Sequence, residues 1–407
     1  MKSIIKYYLF LVSLLFCSCS EYYRSNYFTE EQKASVMVDS AHTKMTNKDS
    51  IIHVYLGKAI EANEELDINS IIDSVKVVFF DDSCTDAMVG NIEKVIITER
   101  YLYVMDRFGQ SGVVLFDIDG HFVKRIPFGQ GPGEISKVYD IYYDKYKQKL
   151  LLDVPRGFAV YEENGEFIED IIKPLQFSES VCTENGYICW QSPATLNDHL
   201  QEHKGNSILF VDREFRLKWS ALPHFNFTCL STQNSKLTET SESIVYTDPI
   251  IDTIYRIDEK GVHAKYVIDL GPDRFPMEKA NDRSYIKNRQ LFDKVFTSSN
   301  YAFLSRYLET LTHQHFLVSY SQRGYYSFFR DKESGNIVGG KTFLVNDNVL
   351  PMLSDPRFIS EDWFVLPYQI CRWRFSSPLI SKEANERMMQ MEEESNQVLF
   401  MFKLKRF

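Results

Sequence analysis

His199 and His203 stand four residues apart, the spacing that sets two imidazoles on one helix face where they can share a metal ion. The glutamate that a zinc hydrolase of that kind carries between them is absent, and the flanking residues lack an apolar helical period. His313 and His315 are two apart and share one face of a strand, but a metal site needs a third ligand that the sequence does not supply. We therefore read this pair as partly exposed strand residues. No Gly-x-Ser-x-Gly occurs, and the carboxylates fall at turn positions where Asp caps its own backbone. No catalytic residue, metal site or cofactor is assigned.

Binding is better motivated. Asp106 and Arg107 end one strand, and Asp153 and Arg156 end an equivalent one, so the two arginines are placed to converge on a carboxylate or a sugar hydroxyl group. The competing reading has both aspartates terminating strands and pairing with neighbouring arginines. Between them lies Gly129-Gln130-Gly131-Pro132-Gly133-Glu134. Its amides could form an anion nest with Glu134 beside it, yet Gly129, Gly131, Pro132 and Gly133 are explained by a tight crossing between strands, with no helix N-terminus following. Trp190, Trp219, Trp363 and Trp373 are of a type that stacks on sugars, although filling space between sheets accounts for most aromatics.

The elements that must position these residues are strands. Phe 30, Tyr 24 and Trp 4 in 407 residues give an aromatic content of 14%, which favours strands over helices. "YLYVMDRFGQSGVVLFDIDGHFVKRI" reads strand, turn, strand, Asp-x-x-Gly turn, strand, and the same grammar returns from Lys149, Ser207, Asp252 and Phe316. The acids opening the tight turns, Asp117, Glu162, Asp212 and Asp258, recur every ~45–50 residues, the length of a four-stranded propeller blade. Asp331 comes later because residues 271–299 read as a helical insertion; residues 381–396 read as a second. What remains fits six blades of about 48 residues. Ser74 to Phe80 and Gln397 to Lys405 are strong strands that would complete one blade from both ends of the chain. The fold expected is all-β, a six-bladed β-propeller over residues 49–407. In its third blade Glu214-Phe215 stands where a turn glycine belongs, so a differently shaped hairpin is expected there. In "VCTENGYICW" a two-residue Asn185-Gly186 turn sets Cys182 opposite Cys189, which permits a disulfide; two buried free thiols are the equal alternative.

The first residues are an address. Lys2, Lys6 and the apolar run from Tyr7 to Phe16 read as a signal peptide, residues 1–18, too short to span a membrane. "LLFCSCS" then resembles the lipobox of bacterial lipoproteins, which makes Cys19 the lipid attachment site, followed by a flexible tether over residues 19–48. The whole chain carries a formal charge of -10, and losing Lys2 and Lys6 makes it more negative, which excludes a nucleic-acid partner.

"SIIDSVKVVFFDDSCTDAMVGNIEKVIITERYLYVMD", followed by "VLFDIDGHFVKRI" and "GQGPGEI", resembles the six-bladed, NHL-like β-propeller lipoproteins of Gram-negative gut bacteria. The resemblance covers Ile51 to the C-terminus, and its sharpest element is Gly129 to Glu134. It implies a propeller held in the cell envelope, in a family whose biochemical role is largely unassigned. The functional expectation is a lipid-anchored, non-enzymatic module for a small-molecule, glycan or protein ligand. The alternative is a metal-dependent hydrolase or lyase with its site at the propeller channel.

Overall fold

The computed structural model describes residues 27–46, 51–62, 65–106, 112–155, 157–224, 235–240, 242–276, 301–320, 324–342, 351–369, 376–392 and 394–407. Its strands form six small sheets. The first blade is an antiparallel meander of Ile92–Ile97, Tyr101–Asp106, Gly112–Asp117 and Phe122–Arg125. The second runs from Asp140–Asp144 to Phe167–Ile172, the third from Glu179–Cys182 to Leu217–Pro223, the fourth from Leu237–Glu239 to Gly261–Asp269, and the fifth from Ala302–Glu309 to Ile337–Lys341. Phe358–Ser360, Trp363–Tyr368 and Val398–Leu404 make three strands of the sixth. Its outer strand is Ile72–Phe79 from the other end of the chain. The molecule is a six-bladed β-propeller.

The middle strands of each blade are apolar on both faces because both pack on neighbouring blades. Tyr103, Leu115, Leu150 and Tyr161 fill the space between the first two blades. Phe329, Phe364, Phe400 and Phe402 fill that between the fifth and sixth. The aromatic excess therefore has a structural use: wide flat interfaces need large side chains.

Closure depends on more than the strand pair. Asn396, buried just before the last strand, donates to the carbonyls of Asp81 (3.0 Å) and Ala87 (2.7 Å) and accepts from the amide of Val89 (3.1 Å). Removing that amide group takes a partner from four backbone groups, the fourth being the Gln397 amide (3.0 Å), and at least three of these bonds are buried. Asn396→Ala should lower unfolding free energy by about 2–4 kcal/mol in urea denaturation, while an exposed substitution such as Lys382→Ala should change it little.

Residues 27–46 do not run free as a tether. A short helix, Glu30–Ser35, is closed at its start by a capping box between Thr29 and Gln32. Val36 is fully buried in the core of the second and third blades, and His42–Thr43 pairs in parallel with Trp219 and Ser220 on the third blade's outer edge. The segment is polar overall, but Phe28 and Val36 give it two apolar anchors, and the exposed outer strand offers backbone partners. Ile52–Tyr55 covers the outer edge of the fourth blade in the same way.

The third-blade turn also departs from expectation. Phe215 takes φ 61°, the left-handed conformation that Gly165 (79°) supplies in the second blade, so the hairpin keeps its shape without glycine. The strain is offset by burial: the Phe215 ring stacks on Tyr187 at 5.2 Å and lies 6.0 Å from Phe158. Of the two segments read as helical insertions, 381–396 holds the helix Lys382–Gln390, capped by Ser381. Residues 271–276 are turn and extended backbone, and the rest of 271–299 lies outside the described residues.

Candidate functional site

The two ends of the propeller differ in their connections. At the end where the inner strands finish, neighbouring strands are joined by short turns such as 98–100, 118–121, 145–148 and 259–260, the longest being 332–336. At the end where the inner strands begin, the joining segments include 126–139 and 191–205, and the strands ending at Pro223, Asp269 and Tyr368 finish there before longer stretches of sequence. A rigid frame that carries its long segments on one face presents its variable surface there. We call this the loop face.

Charged groups from the first three blades gather at this face. Lys94, on the inner strand of the first blade, reaches Asp140, the first residue of the second blade's inner strand, at 2.7 Å. Its ammonium also lies 4.8 Å from the centre of the Tyr142 ring. Asp140 is register partner to Asp153. The Asp153 carboxylate meets Lys173 at 2.6 Å, and Lys173 is held over the rings of Phe177 (4.2 Å) and Phe158 (4.9 Å). Burial raises the Asp153 carboxyl to about 6, against the pull of Lys173 and with a further push from Asp140. On the third blade Glu179 is raised by burial, opposed by hydrogen bonds from the Leu237 amide (2.9 Å), the Ser235 hydroxyl (2.6 Å) and the Lys236 amide (2.7 Å). Lys236 in turn pairs with Asp248 at 3.1 Å. Carboxylates and ammonium groups stand side by side around the start of the inner strands, with aromatic rings beside Lys94, Lys173 and Lys236. Asp153 is buried, only 10% of the Lys173 side chain is exposed, and Lys94, with 28% of its side chain exposed beside Asp140, is the member that solvent reaches most. A partly exposed ammonium–carboxylate pair suits hydroxyl-rich or zwitterionic ligands.

Asp106 belongs to the same end but is turned inward, accepting from the amides of Gly90 (2.9 Å) and Asn91 (3.0 Å). Arg107 and Arg156 lie outside the described residues. The Glu134 carboxylate accepts from the Gly131 amide at 2.9 Å, and a Cβ on Gly129 would stand 1.9 Å from its oxygen. Gly133 has φ 73° and packs against Phe167. Gly129, Gly131 and Gly133 thus serve the fold of the crossing around Pro132, with Glu134 as its internal acceptor.

The hairpin at Asn185 corrects the cysteine pairing. Cys182 is opposite Tyr187, Cys189 is opposite Ser180, and both thiols are free. The turn residues are Glu184 and Asn185, while Gly186 belongs to the strand because a Cβ there would lie 2.0 Å from the Val211 carbonyl oxygen of the next strand. Asn185 instead bonds the Glu259 carboxylate of the fourth blade. Burial pushes both thiols far above the range in which they react.

The histidines do not converge. His199 faces the Pro174 carbonyl (3.0 Å) and His203 the Ser220 hydroxyl (2.8 Å), on two turns separated by a kink at Gln201. His313 and His315 are buried, not partly exposed: His313 contacts the Lys405 carbonyl (2.9 Å) and His315 the Ser327 hydroxyl (2.9 Å). Their strand lies inside a blade with packed faces on both sides, which a run of alternating residues does not announce. Among the described residues no group of three metal-binding side chains occurs. A second buried polar group, unforeseen from sequence, rivets the fourth and fifth blades at the opposite end: Glu309 bonds Lys265 (2.9 Å), Lys332 (3.0 Å) and the Tyr307 hydroxyl (2.7 Å). Burial raises the Glu309 carboxyl, but Lys265 and Tyr307 outweigh it and hold the group below its ordinary value.

A groove of about 810 Å³ runs beside the Lys382–Gln390 helix, lined by Ser377, Ile380, Asn385 and Met389 among others. It brings together few charged groups, so the chemistry resides in the cluster.

Residues 50–403 match the family described as Domain of unknown function (DUF4934). The chain belongs to that family. In structure it is similar to a protein of Bacteroides fragilis NCTC 9343, provisionally described as exported, with a TM-score of 0.70 at 17% identity, covering 88% of this chain and 100% of that one. It is also matched to a structural genomics protein of unknown function from Bacteroides thetaiotaomicron VPI-5482, with a TM-score of 0.40 at 10% identity, covering 82% of this chain and 76% of that one. No curated protein matches it in sequence. At such identities the first similarity shows the shared propeller and nothing of its ligand. Among the described residues no helix is long and apolar enough to cross a membrane.

Proposed function

We propose that the chain is an exported propeller, lipid-anchored through Cys19 in the cell envelope, that binds a small-molecule, glycan or protein ligand at its loop face without turning it over. The observation that carries this reading is the ion-pair cluster Lys94–Asp140 and Asp153–Lys173, which crosses from one blade to the next where the long connections gather. Cross-blade placement fixes the spacing of Lys94 and Asp140 through the frame, with the largely buried Asp153–Lys173 pair behind them, so a ligand meets the outer pair pre-organised. The export signal before Cys19 and the similarity to a protein described as exported support the location.

Two experiments test it. Replacing Cys19→Ala should move the protein from the membrane fraction to the soluble fraction of lysed cells; retention on membranes would contradict the anchor. Purified mature protein should leave glycosidic, ester and lactone substrates intact with or without added divalent metal. Metal-dependent turnover that is lost on substituting Asp140 or Asp153 would overturn the non-enzymatic reading.

A further inference from the structure

We infer that the loop face is turned toward the lipid surface, with Tyr139 and Ile172 of the second blade resting in its headgroup layer; this rests on Cys19 being the lipidated residue. The first described residues bear on the geometry. The Tyr27 hydroxyl donates to the Pro155 carbonyl at 3.1 Å, which places residue 27 at the loop-face end of the second blade, two residues beyond Asp153. Residues 20–26 separate it from Cys19, and eight residue steps reach at most about 29 Å. A six-residue strand is already about 20 Å long, so an anchor at the far end of the propeller would spend most of that reach running down the blade.

The surface around this point suits a headgroup layer. The Tyr139 amide donates to the Asp153 carbonyl at 2.7 Å, and Ile172 pairs with Gly157, so both side chains belong to the end that holds Pro155. Tyr139 is 45% exposed and Ile172 63%, large apolar groups left in water on a charged protein. Lys137 lies with its ammonium 4.7 Å from the Tyr139 ring centre, the pairing of aromatic ring and amine that interfacial sites use. At the opposite end of the same blade Tyr146 is 50% exposed with the Lys145 ammonium 5.5 Å from its ring centre, so the short reach from Cys19, rather than the surface chemistry, selects the loop face.

Hydroxyl-radical footprinting of the lipidated full chain tests this, on vesicles of phosphatidylethanolamine and phosphatidylglycerol and, for reference, with the Cys19→Ala chain in solution. Tyr146, 50% exposed in the 145–148 turn at the other end of the same blade, is the internal control. Oxidation of Tyr139 and Ile172 should fall at least fivefold on vesicles while that of Tyr146 stays unchanged. Protection of Tyr146, or equal oxidation of all three on vesicles that carry the protein, would overturn the orientation and leave the anchor standing. Wild-type chain isolated from cells that carries no acyl group on Cys19 and fails to float with vesicles would overturn both.

Discussion

Phe215→Ala should destabilise the propeller by about 3–5 kcal/mol, and Phe215→Gly by roughly 1 kcal/mol less. Both substitutions remove the stack on Tyr187 and the contact with Phe158. Only glycine also relieves the positive φ that the turn imposes on this position. The order of the two variants in urea denaturation separates the packing contribution from backbone strain. If alanine proved equal to or better than glycine, the left-handed turn would not be the conformation in solution.

Lys173→Met should cost about 3–5 kcal/mol at pH 7.5, because it leaves the Asp153 carboxylate buried without its partner. The cost should shrink at pH 4.5, where Asp153 takes up a proton and no charge remains to be solvated. The native pair has its own pH signature. Asp153 titrates at about 6 in the folded chain, above its unfolded value, so the folded state binds more protons between about pH 4 and 6. Stability from this group is present at the low end of that window and is lost as pH rises through 6. Relative to Asp153→Asn, the wild type should therefore lose about 2–3 kcal/mol between pH 4 and pH 7. A difference that is flat with pH would show that folding leaves the Asp153 carboxyl unshifted, and one that rises would show it lowered; either contradicts the raised value.

The architecture was legible because its signals are local or periodic. The acids at Asp117, Glu162, Asp212 and Asp258 mark successive turns, and the two terminal strands are apolar enough to be recognised as the halves of one blade. What escaped depends on partners distant in sequence. The choice between Asn185-Gly186 and Glu184-Asn185 as the turn is made by Val211 on a third strand, which tolerates no Cβ at Gly186. Phe215 accepts a glycine conformation because Tyr187 and Phe158 receive its ring. Residues 27–46 looked like a tether because two apolar side chains among polar neighbours do not reveal the outer strand they dock on.

The site was read in the same uneven way. Asp106 and Asp153 follow from their place at strand ends, and the structure puts both at the loop face. Lys94, on a strand of another blade, and Lys173, just past the end of the strand Phe167–Ile172, give the cluster its character, and no spacing rule links them to Asp140 or Asp153. The glycine loop, conspicuous in sequence, is occupied with its own folding through Glu134.

The central claim is that ligand binds at the cross-blade cluster. Thermal unfolding of mature wild type and of Lys94→Met, Asp140→Asn and the double variant, each with and without soluble oligosaccharides, amino acids and peptides, tests it most directly. A ligand at a hundred times its dissociation constant adds about 2.7 kcal/mol, enough to raise Tm by a few degrees. The account predicts that at least one of these classes raises the Tm of the wild type and leaves the double variant unshifted. An equal shift in wild type and double variant, or no shift in the wild type with any class, would contradict it.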